Sequence, residues 1–443
     1  MEYDLIIVNG IVVSEIEVQE WDIAIKDEKI SKVVPRGGLK DAKATRTIDA
    51  EGGFVMPGGV DAHVHLQEPP LFGNGSTADN YETGSRSAVC GGTTTMVTFA
   101  PQKKTEDTLL DTLAATHERA KDNCYIDYSF HIIVGNPSER ALSEFKTLRE
   151  EGISSLKIYM TYEALQLHDG QILDILLEAR KQGITTMIHA ENGQVIDWMT
   201  AQLEKKKLFA PKYHGSSHPP MAETEATYRA ISLSEFMDTP ILIVHVSTPA
   251  AAAHIKAAQD RGLPIYAETC PQYLFLTKQD LDQPGFEGAN ISAEHPLGHF
   301  KYIPNGCPGI ETRLSLALSA NRLELTKFVE VTSANPAKLY GLYPKKGALV
   351  EGQSDADVNI WYPEGKMEEF ELTNSMLHHD VDYTPFEGRR LRQWPRWTIL
   401  RGKVVWDRDN GGLLGQKGYG RFTKRDASSL AKPTKEGEWV LPL

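Results

Sequence analysis

The sequence has few cysteines and no long apolar run. Its four cysteines lie far apart and form no Cys-x-x-Cys pair, which argues against a disulfide framework and against a thiolate zinc site. No apolar stretch approaches the roughly 20 residues of a membrane helix, and the first residues show no basic region ahead of an apolar one. We therefore expect a cytoplasmic protein without a membrane partner.

Basic charge is also scarce. The chain has 47 lysines and arginines against 60 acidic residues, and its formal net charge is −13. This balance argues against nucleic acid as a partner, because phosphate backbones attract basic surfaces. We expect a small-molecule substrate instead. A length of 443 residues exceeds one ordinary core, so a large barrel with a second domain is the expected organisation.

The two ends of the chain both read as short strands separated by turns. We predict that residues 1–57 and 342–409 together build one β-sandwich domain. The region between them, residues 58–341, alternates strands and helices, which is typical of a parallel (β/α)8 TIM barrel. Residues 410–443 form a Gly-, Lys- and Pro-rich extension that we expect to contact a neighbouring subunit.

Histidines close the predicted barrel strands, where the catalytic groups of such barrels lie. His63 and His65 end the first strand, and alternation points both side chains to one face. His189 ends the fifth strand and His245 the sixth. This pattern predicts a metal site, although a lone His-x-His pair is also compatible with exposed histidines in a strand or loop.

Lys157 is the single charged residue in the fourth predicted strand. A buried ammonium is costly unless it is paired or neutralised. A neutral lysine can react with carbon dioxide to give a carbamate whose two oxygens can bridge two metal ions. The alternative is a lysine whose amine reaches solvent at the barrel rim. The four histidines at neighbouring strand ends favour the carbamate.

These motifs resemble the cyclic amidohydrolases of the hydantoinase and dihydropyrimidinase family, most closely its fungal members. The segments that carry the resemblance are residues 54–65, 91–95, 157–162, 189–193, 245–247, 267–273, 303–309, 335–338 and 382–388. The resemblance spans about residues 3 to 408, and the combination of motifs is highly specific.

The resemblance implies two zinc ions bridged by a carboxylated Lys157. His63 and His65 would bind one ion, and His189 and His245 the other. Tyr162 matches a tyrosine that donates a hydrogen bond to the developing oxyanion, and Asn305 matches a residue that binds the substrate ring. An ordinary packed aromatic and a turn residue are the structural alternatives for these two positions. The family also implies a homotetramer.

The same resemblance implies an activity. It points to opening of 5,6-dihydrouracil or 5,6-dihydrothymine to an N-carbamoyl-β-amino acid, in reductive pyrimidine degradation. A hydantoinase or an allantoinase would share the metal ligands and differ in the loops of the pocket. A third reading, from another class, is a non-catalytic scaffold built on the same fold.

One part of the family pattern is absent. Members have an eighth strand that ends in an aspartate ligand, and a Ser-Pro-Pro loop that touches the substrate, but neither follows the seventh predicted strand here. We expect a stretch of about 40 residues, one βα unit with its loop, to be missing between Ala289 and Asn290. Either the backbone is broken there, with Cα atoms much further apart than about 3.8 Å, or the chain carries a real deletion. In the second case the family assignment stands and catalytic competence does not follow.

Overall fold

The computed structural model describes residues 2–68, 77–282, 298–302 and 305–440. The first strands are β1 (Glu2–Val13), β2 (Val18–Lys26), β3 (Lys29–Pro35), β4 (Lys43–Asp49) and β5 (Phe54–Pro57). Asn9 has a positive φ of 56° at an irregularity in the pairing of β1 with β2, so β1 continues through this position as one bulged strand.

The middle of the chain alternates strands with helices. Its elements are β6 (Gly59–Val64), α1 (Tyr81–Cys90), β7 (Thr93–Pro101), α2 (Leu109–Ala120), β8 (Asp127–Ile133), α3 (Glu139–Ser143), α4 (Phe145–Glu150), β9 (Ser155–Tyr159), α5 (Asp169–Gln182), β10 (Thr185–His189), α6 (Gly193–Lys205), α7 (His214–Ser217), α8 (Pro220–Met237), β11 (Ile241–Ile243), α9 (Pro249–Asp260) and β12 (Ile265–Ala267). None of the helices in the described part of the chain is both long and apolar enough to span a membrane.

Three short helices lead back to the strand-rich end of the chain. The remaining elements are α10 (Arg313–Ser319), α11 (Leu325–Val329), α12 (Asn335–Leu339), β13 (Val358–Trp361), β14 (Phe370–Glu371), β15 (Arg390–Leu391), β16 (Pro395–Leu400), β17 (Lys403–Asp407) and β18 (Gly412–Leu413).

Two large sheets organise these strands. A nine-stranded sheet has the order β18-β17-β16-β13-β5-β1-β2-β3, with β4 paired to β1, so both chain ends contribute to it. A seven-stranded parallel sheet has the order β12-β11-β10-β9-β8-β7-β6. The strands β8, β9 and β10 are buried along their whole length, as expected of a parallel sheet covered by helices. The two sheets confirm the predicted fold class, a TIM-barrel-like domain with a second sheet domain.

The barrel sheet has two open edges in the described residues, because β6 pairs only with β7 and β12 only with β11. Seven strands are the number expected from the sequence. The junction between Ala289 and Asn290 lies outside the described residues, so the break expected there stays a prediction.

A buried lysine joins the barrel to the nine-stranded sheet. The Nζ atom of Lys346 lies 2.6 Å from Asp127 at the start of β8, and 2.8 Å and 3.0 Å from Asp357 and Asp355, just before β13. Arg401, in the turn between β16 and β17, forms a further ion pair with Asp127. Five charged groups from the two sheets and their flanking turns therefore meet away from water.

The C-terminal extension packs on the barrel of its own chain. Backbone hydrogen bonds link Arg421 and Thr423 to Tyr128 in β8, Arg425 to Gly152 and Asp426 to Gly341. Further along, the side chain of Thr434 donates a hydrogen bond to Asp238, and the indole of Trp439 donates one to the carbonyl of Phe236. The expected contact with another subunit stays a prediction.

Candidate active site

Four histidines converge at the carboxyl ends of the barrel strands. His63 lies near the end of β6 and His65 just beyond it, His189 is the last residue of β10, and His245 follows β11 by two residues. The ring centroids of His63 and His65 are 5.4 Å apart, those of His63 and His245 5.6 Å, and those of His189 and His245 4.4 Å. The fold thus brings together the four histidines predicted from the sequence.

Lys157 lies among these histidines in the middle of β9. It is 1% exposed, and its Nζ atom lies 5.1 Å and 5.5 Å from the ring centroids of Tyr159 and Phe99. Burial lowers the pKa of Lys157 to about 7, although Glu268 nearby opposes this shift. Burial therefore favours the neutral amine, which is the form that can react with carbon dioxide.

Three of the four histidines have the protonation state that metal binding needs. Burial lowers the pKa of His63, His189 and His245, so these imidazoles are neutral near pH 7. A neutral imidazole has a free lone pair for a metal ion, and a lysine that can become a carbamate adds an anion. The donor set therefore fits a two-metal centre of the kind implied by the sequence.

Carboxylates surround the histidines. His65 Nδ1 lies 2.9 Å from Glu68, His189 Nε2 lies 2.6 Å from Glu191, and His63 Nδ1 is hydrogen bonded to Glu268. Such partners fix the orientation of an imidazole. With the imidazoles turned toward these carboxylates, no three His, Cys or acidic ligand atoms of the cluster lie within 4.8 Å of one another in the described residues.

Glu268 is a site residue to which the sequence reasoning gave no role. It follows β12 directly, so the rule that located the histidines at strand ends also applies to it. Burial raises the pKa of Glu268 and the charge of Lys157 opposes this shift, so that the pKa is about 7. A carboxyl group with this pKa can both accept and release a proton near neutral pH.

Tyr162 and Asn305 meet at the mouth of the site. The amide of Asn305 donates a hydrogen bond to the hydroxyl of Tyr162, whose ring centroid lies 5.0 Å from that of His189. Tyr162 has a φ of +66° and His245 a φ of +40°, conformations that non-glycine residues rarely adopt. Residues held in such conformations are often found at functional sites.

Hydrogen bonds from outside the site hold two of its strands. Arg313 in α10 forms an ion pair of 2.9 Å with Asp61 in β6 and donates to Thr93 in β7. Glu223 in α8 accepts hydrogen bonds from the backbone and the hydroxyl of Ser247, two residues beyond His245. The backbone that carries the histidines is therefore anchored on both sides of the cluster.

The chain is similar to known proteins along most of its length. The sequence pattern of the Amidohydrolase family matches residues 54–214. The chain is 36% identical to D-hydantoinase from Ralstonia pickettii, in an alignment that covers 95% of this chain and 99% of that protein. The D-hydantoinase from Geobacillus stearothermophilus is also 36% identical, with 95% and 96% covered.

The fold is also similar to solved structures of hydantoinases and dihydropyrimidinases. Dihydropyrimidinase from Brevibacillus agri superposes with a TM-score of 0.88 at 34% identity, covering 95% of this chain and 98% of that one. The L-hydantoinase (dihydropyrimidinase) from Arthrobacter aurescens gives a TM-score of 0.82 at 29% identity, with 96% and 100% covered.

The alignments also contain positions of the relatives that have no counterpart in this chain. The alignment with the Ralstonia pickettii protein extends over 464 residues but takes in only 95% of a 443-residue chain, so about 40 aligned positions have no counterpart here. Their total is close to the roughly 40 residues expected from one βα unit with its loop, and the place of the missing stretch stays a prediction.

Proposed function

Because the chain belongs to the hydantoinase and dihydropyrimidinase family of amidohydrolases, whose members hydrolyse cyclic amides, we propose that it opens 5,6-dihydrouracil and 5,6-dihydrothymine to N-carbamoyl-β-amino acids. The single observation that carries the proposal is the convergence of four histidines at the strand ends around the buried Lys157.

The metal centre is part of the proposal. His63 and His65 would hold one zinc ion, His189 and His245 the other, and a carboxylated Lys157 would lie between the ions. When bound, zinc polarises a carbonyl group and lowers the pKa of water toward neutrality. Such a centre explains why so many ligand-type side chains share one buried face of the barrel.

The remaining site residues bind the substrate and move protons. Hydrolysis adds water across a ring C–N bond, so the carbonyl carbon gains a hydroxyl group and the nitrogen gains a hydrogen. The hydroxyl of Tyr162 would donate to the carbonyl oxygen as negative charge develops on it. Asn305, already bonded to Tyr162, would hold the ring in register with that hydroxyl.

Glu268 is the proposed proton carrier. The aspartate expected at the end of an eighth strand is absent from the sequence, whereas Glu268 is hydrogen bonded to His63 and interacts electrostatically with Lys157. Its carboxylate would take a proton from the attacking water and return it to the departing nitrogen. This assignment gives the site the acid–base group that the reaction needs.

We also expect the chain to act as a homotetramer. Large apolar side chains on the barrel helices are exposed, including Trp198 in α6 and Met221, Tyr228 and Phe236 in α8. Exposed apolar groups of this size are typical of contact surfaces. Light scattering of the purified protein measures the subunit number directly, and a monomer would contradict this part of the proposal.

A metal and substrate assay tests the activity. The purified protein is expected to contain about two zinc ions per chain and to open dihydrouracil, with loss of the ring absorbance. A 5-substituted hydantoin and allantoin should be run beside it, because the relatives named D-hydantoinase favour a hydantoin as the second candidate substrate. Metal-free protein without turnover of any of them would favour the scaffold instead.

A further inference from the structure

The C-terminal extension inserts one side chain into the floor of the barrel. Phe422 forms a bridge with Tyr128 at the start of β8, and three residues later Arg425 is only 2% exposed. Its backbone amide donates a hydrogen bond of 3.0 Å to the carbonyl of Gly152. This backbone hydrogen bond holds Arg425 in place, at the end of the barrel opposite the histidines.

The guanidinium of Arg425 donates its hydrogen bonds to hydroxyl and carbonyl groups, and it lies 6.0 Å from the ring centroid of Tyr340. Nε donates to Ser129 Oγ at 2.9 Å, Nη1 donates to Ser155 Oγ at 2.7 Å, and Nη2 donates to the carbonyl of Phe130. It has no carboxylate partner among the described residues. Burial lowers its pKa to about 9, because the charged form is removed from water. A buried cation without a counter-ion calls for another role than an ordinary ion pair.

Ser155 is hydrogen bonded to both Arg425 and His131. Ser155 Oγ lies 2.5 Å from His131 Nδ1, and His131 Nε2 lies 2.9 Å from the carbonyl oxygen of Ala62 in β6. A carbonyl only accepts, so Nε2 carries the hydrogen and Nδ1 is the acceptor. The hydroxyl of Ser155 must then donate to His131 while it accepts from Arg425. All three hydrogen bonds therefore run in one direction, from the cation to β6.

The last acceptor in this series of hydrogen bonds is the carbonyl of the peptide group between Ala62 and His63. The pairing of β6 with β7 is irregular between Asp61 and Val64, so this part of β6 is not held by a regular ladder. Bulges of this kind re-aim side chains at active sites. The hydrogen bond from His131 thus fixes the strand at the point where it directs His63 and His65 into the cluster.

We propose that Arg425 is a positioning residue for the active site, acting through Ser155 and His131 on the histidine pair of β6. The inference rests on the proposed role of His63 and His65 as metal ligands. It makes the C-terminal extension a component of the active site, although its polar contacts lie on the barrel floor. The positive charge of Arg425 strengthens each hydrogen bond in the series that leads from it to β6.

Two serines make a matched test. Ser129 and Ser155 are both fully buried and both accept a hydrogen bond from Arg425, but only Ser155 also contacts His131. Ser155→Ala should therefore weaken the binding of Zn²⁺ about tenfold, the lower end of the range for partners that orient metal ligands. Ser129→Ala should change it less than twofold. Zn²⁺ affinity is measured by competition with a chelator, well below the melting temperature of each variant.

Further readouts separate positioning from folding. In Co²⁺-loaded protein, Ser155→Ala should alter the visible absorption spectrum and lower kcat with little change in KM, and Ser129→Ala should do neither. Arg425→Met should reproduce the effect of Ser155→Ala. In the double variant it should add little, because both changes interrupt the same series of hydrogen bonds.

The outcomes are distinct. Equal Zn²⁺ affinities and spectra for the two serine variants would overturn the positioning role. Wild-type protein that binds no zinc would contradict the proposed function, and crystal structures of the two variants would then decide the inference: a shift of His63 in Ser155→Ala alone supports it, and an unmoved His63 overturns it.

Discussion

At the scale of single residues, the chemistry depends on groups whose protonation differs from that in water. Burial gives Lys157 and Glu268 pKa values of about 7, although one is a base and the other an acid. Both can therefore change charge under working conditions. Three predictions follow from this scale, each for one side chain.

Lys157→Ala should remove most of the bound zinc and of the activity, because no carbamate can form. A short carboxylic acid should partly restore both, since its two oxygens can occupy the vacated space. Lys157→Met fills that space and should not respond to the acid. Lys157→Arg should fail as well, because a guanidinium stays protonated. Metal analysis and turnover with and without the acid check this, and full zinc content in Lys157→Ala would refute the bridge.

Tyr162→Phe removes one hydroxyl and keeps the ring, so folding and zinc content should persist. We expect kcat to fall roughly 10²- to 10³-fold, the scale found when one oxyanion donor is removed. Steady-state kinetics on the best substrate measure the effect. A rise in KM at constant kcat would mean that Tyr162 binds the substrate and its transition state equally.

Glu268→Gln keeps the size of the side chain but cannot carry a proton. We expect kcat to fall at least roughly 10²-fold, as for removal of a general base. Glu191→Gln is the matched control, because Glu191 also bonds to a strand-end histidine, His189. Its effect on kcat should be several-fold smaller. Similar losses in the two variants would assign Glu268 to histidine orientation alone.

At the scale of elements, the C-terminal extension depends on close approach to the loop after α12. Asp426 donates its backbone amide to Gly341, which has a φ of +69°. A Cβ atom at Gly341 would lie 1.8 Å from the carbonyl oxygen of Asp426, so one of the two backbones would have to move. The absence of a side chain at this position allows the extension to dock.

Gly341→Ala should therefore release the extension from the barrel. We expect a loss of stability about 1–3 kcal/mol greater than in the control, and trypsin should cut at Arg425, which is buried in the wild type. Gly365→Ala is the control, because Gly365 has a similar φ of +71° and open space around its Cα. Limited proteolysis with thermal unfolding measures both effects. Equal behaviour of the two variants would show that backbone strain alone is responsible.

Elements differ in how far the sequence predicts them. The strands β6 to β12 follow from apolar runs between turn signals, and their histidines follow from the position of active sites in such barrels. Arg425 could not be predicted in this way, because its segment has neither helical nor strand periodicity and its partners are some 270 residues or more away. Glu268 could have been inferred from its place after β12, but nothing local indicated its contact with His63.

At the scale of the whole molecule, the barrel and the nine-stranded sheet are joined by the cluster around Lys346. Burial alone would raise the pKa of Asp127, yet Lys346 and Arg401 hold it below the ordinary value of 3.8. Asp355 behaves likewise, whereas burial keeps the pKa of Asp357 raised. Asp127 and Asp355 thus stabilise the fold above about pH 4, and this contribution is lost as the pH falls through their lowered pKa values.

Lys346→Met should destabilise the protein by about 3–5 kcal/mol at pH 7, because it leaves buried carboxylates without their cation. The deficit relative to wild type should shrink between pH 7 and pH 4, since protonation removes the uncompensated charge from the variant. Denaturant unfolding at several pH values measures this. A deficit that does not vary with pH would mean that packing, rather than charge, explains the loss.

The shared sheet also affects how the chain is made. Strand β5 pairs with β13, and about 300 residues separate Pro57 from its partner Val358. At about 5–20 residues per second, a ribosome needs about 15–60 s to synthesise that interval. Throughout this time the strands of the first 57 residues expose an edge that could pair with another chain. The nascent protein is therefore expected to depend on chaperones until its last strands emerge.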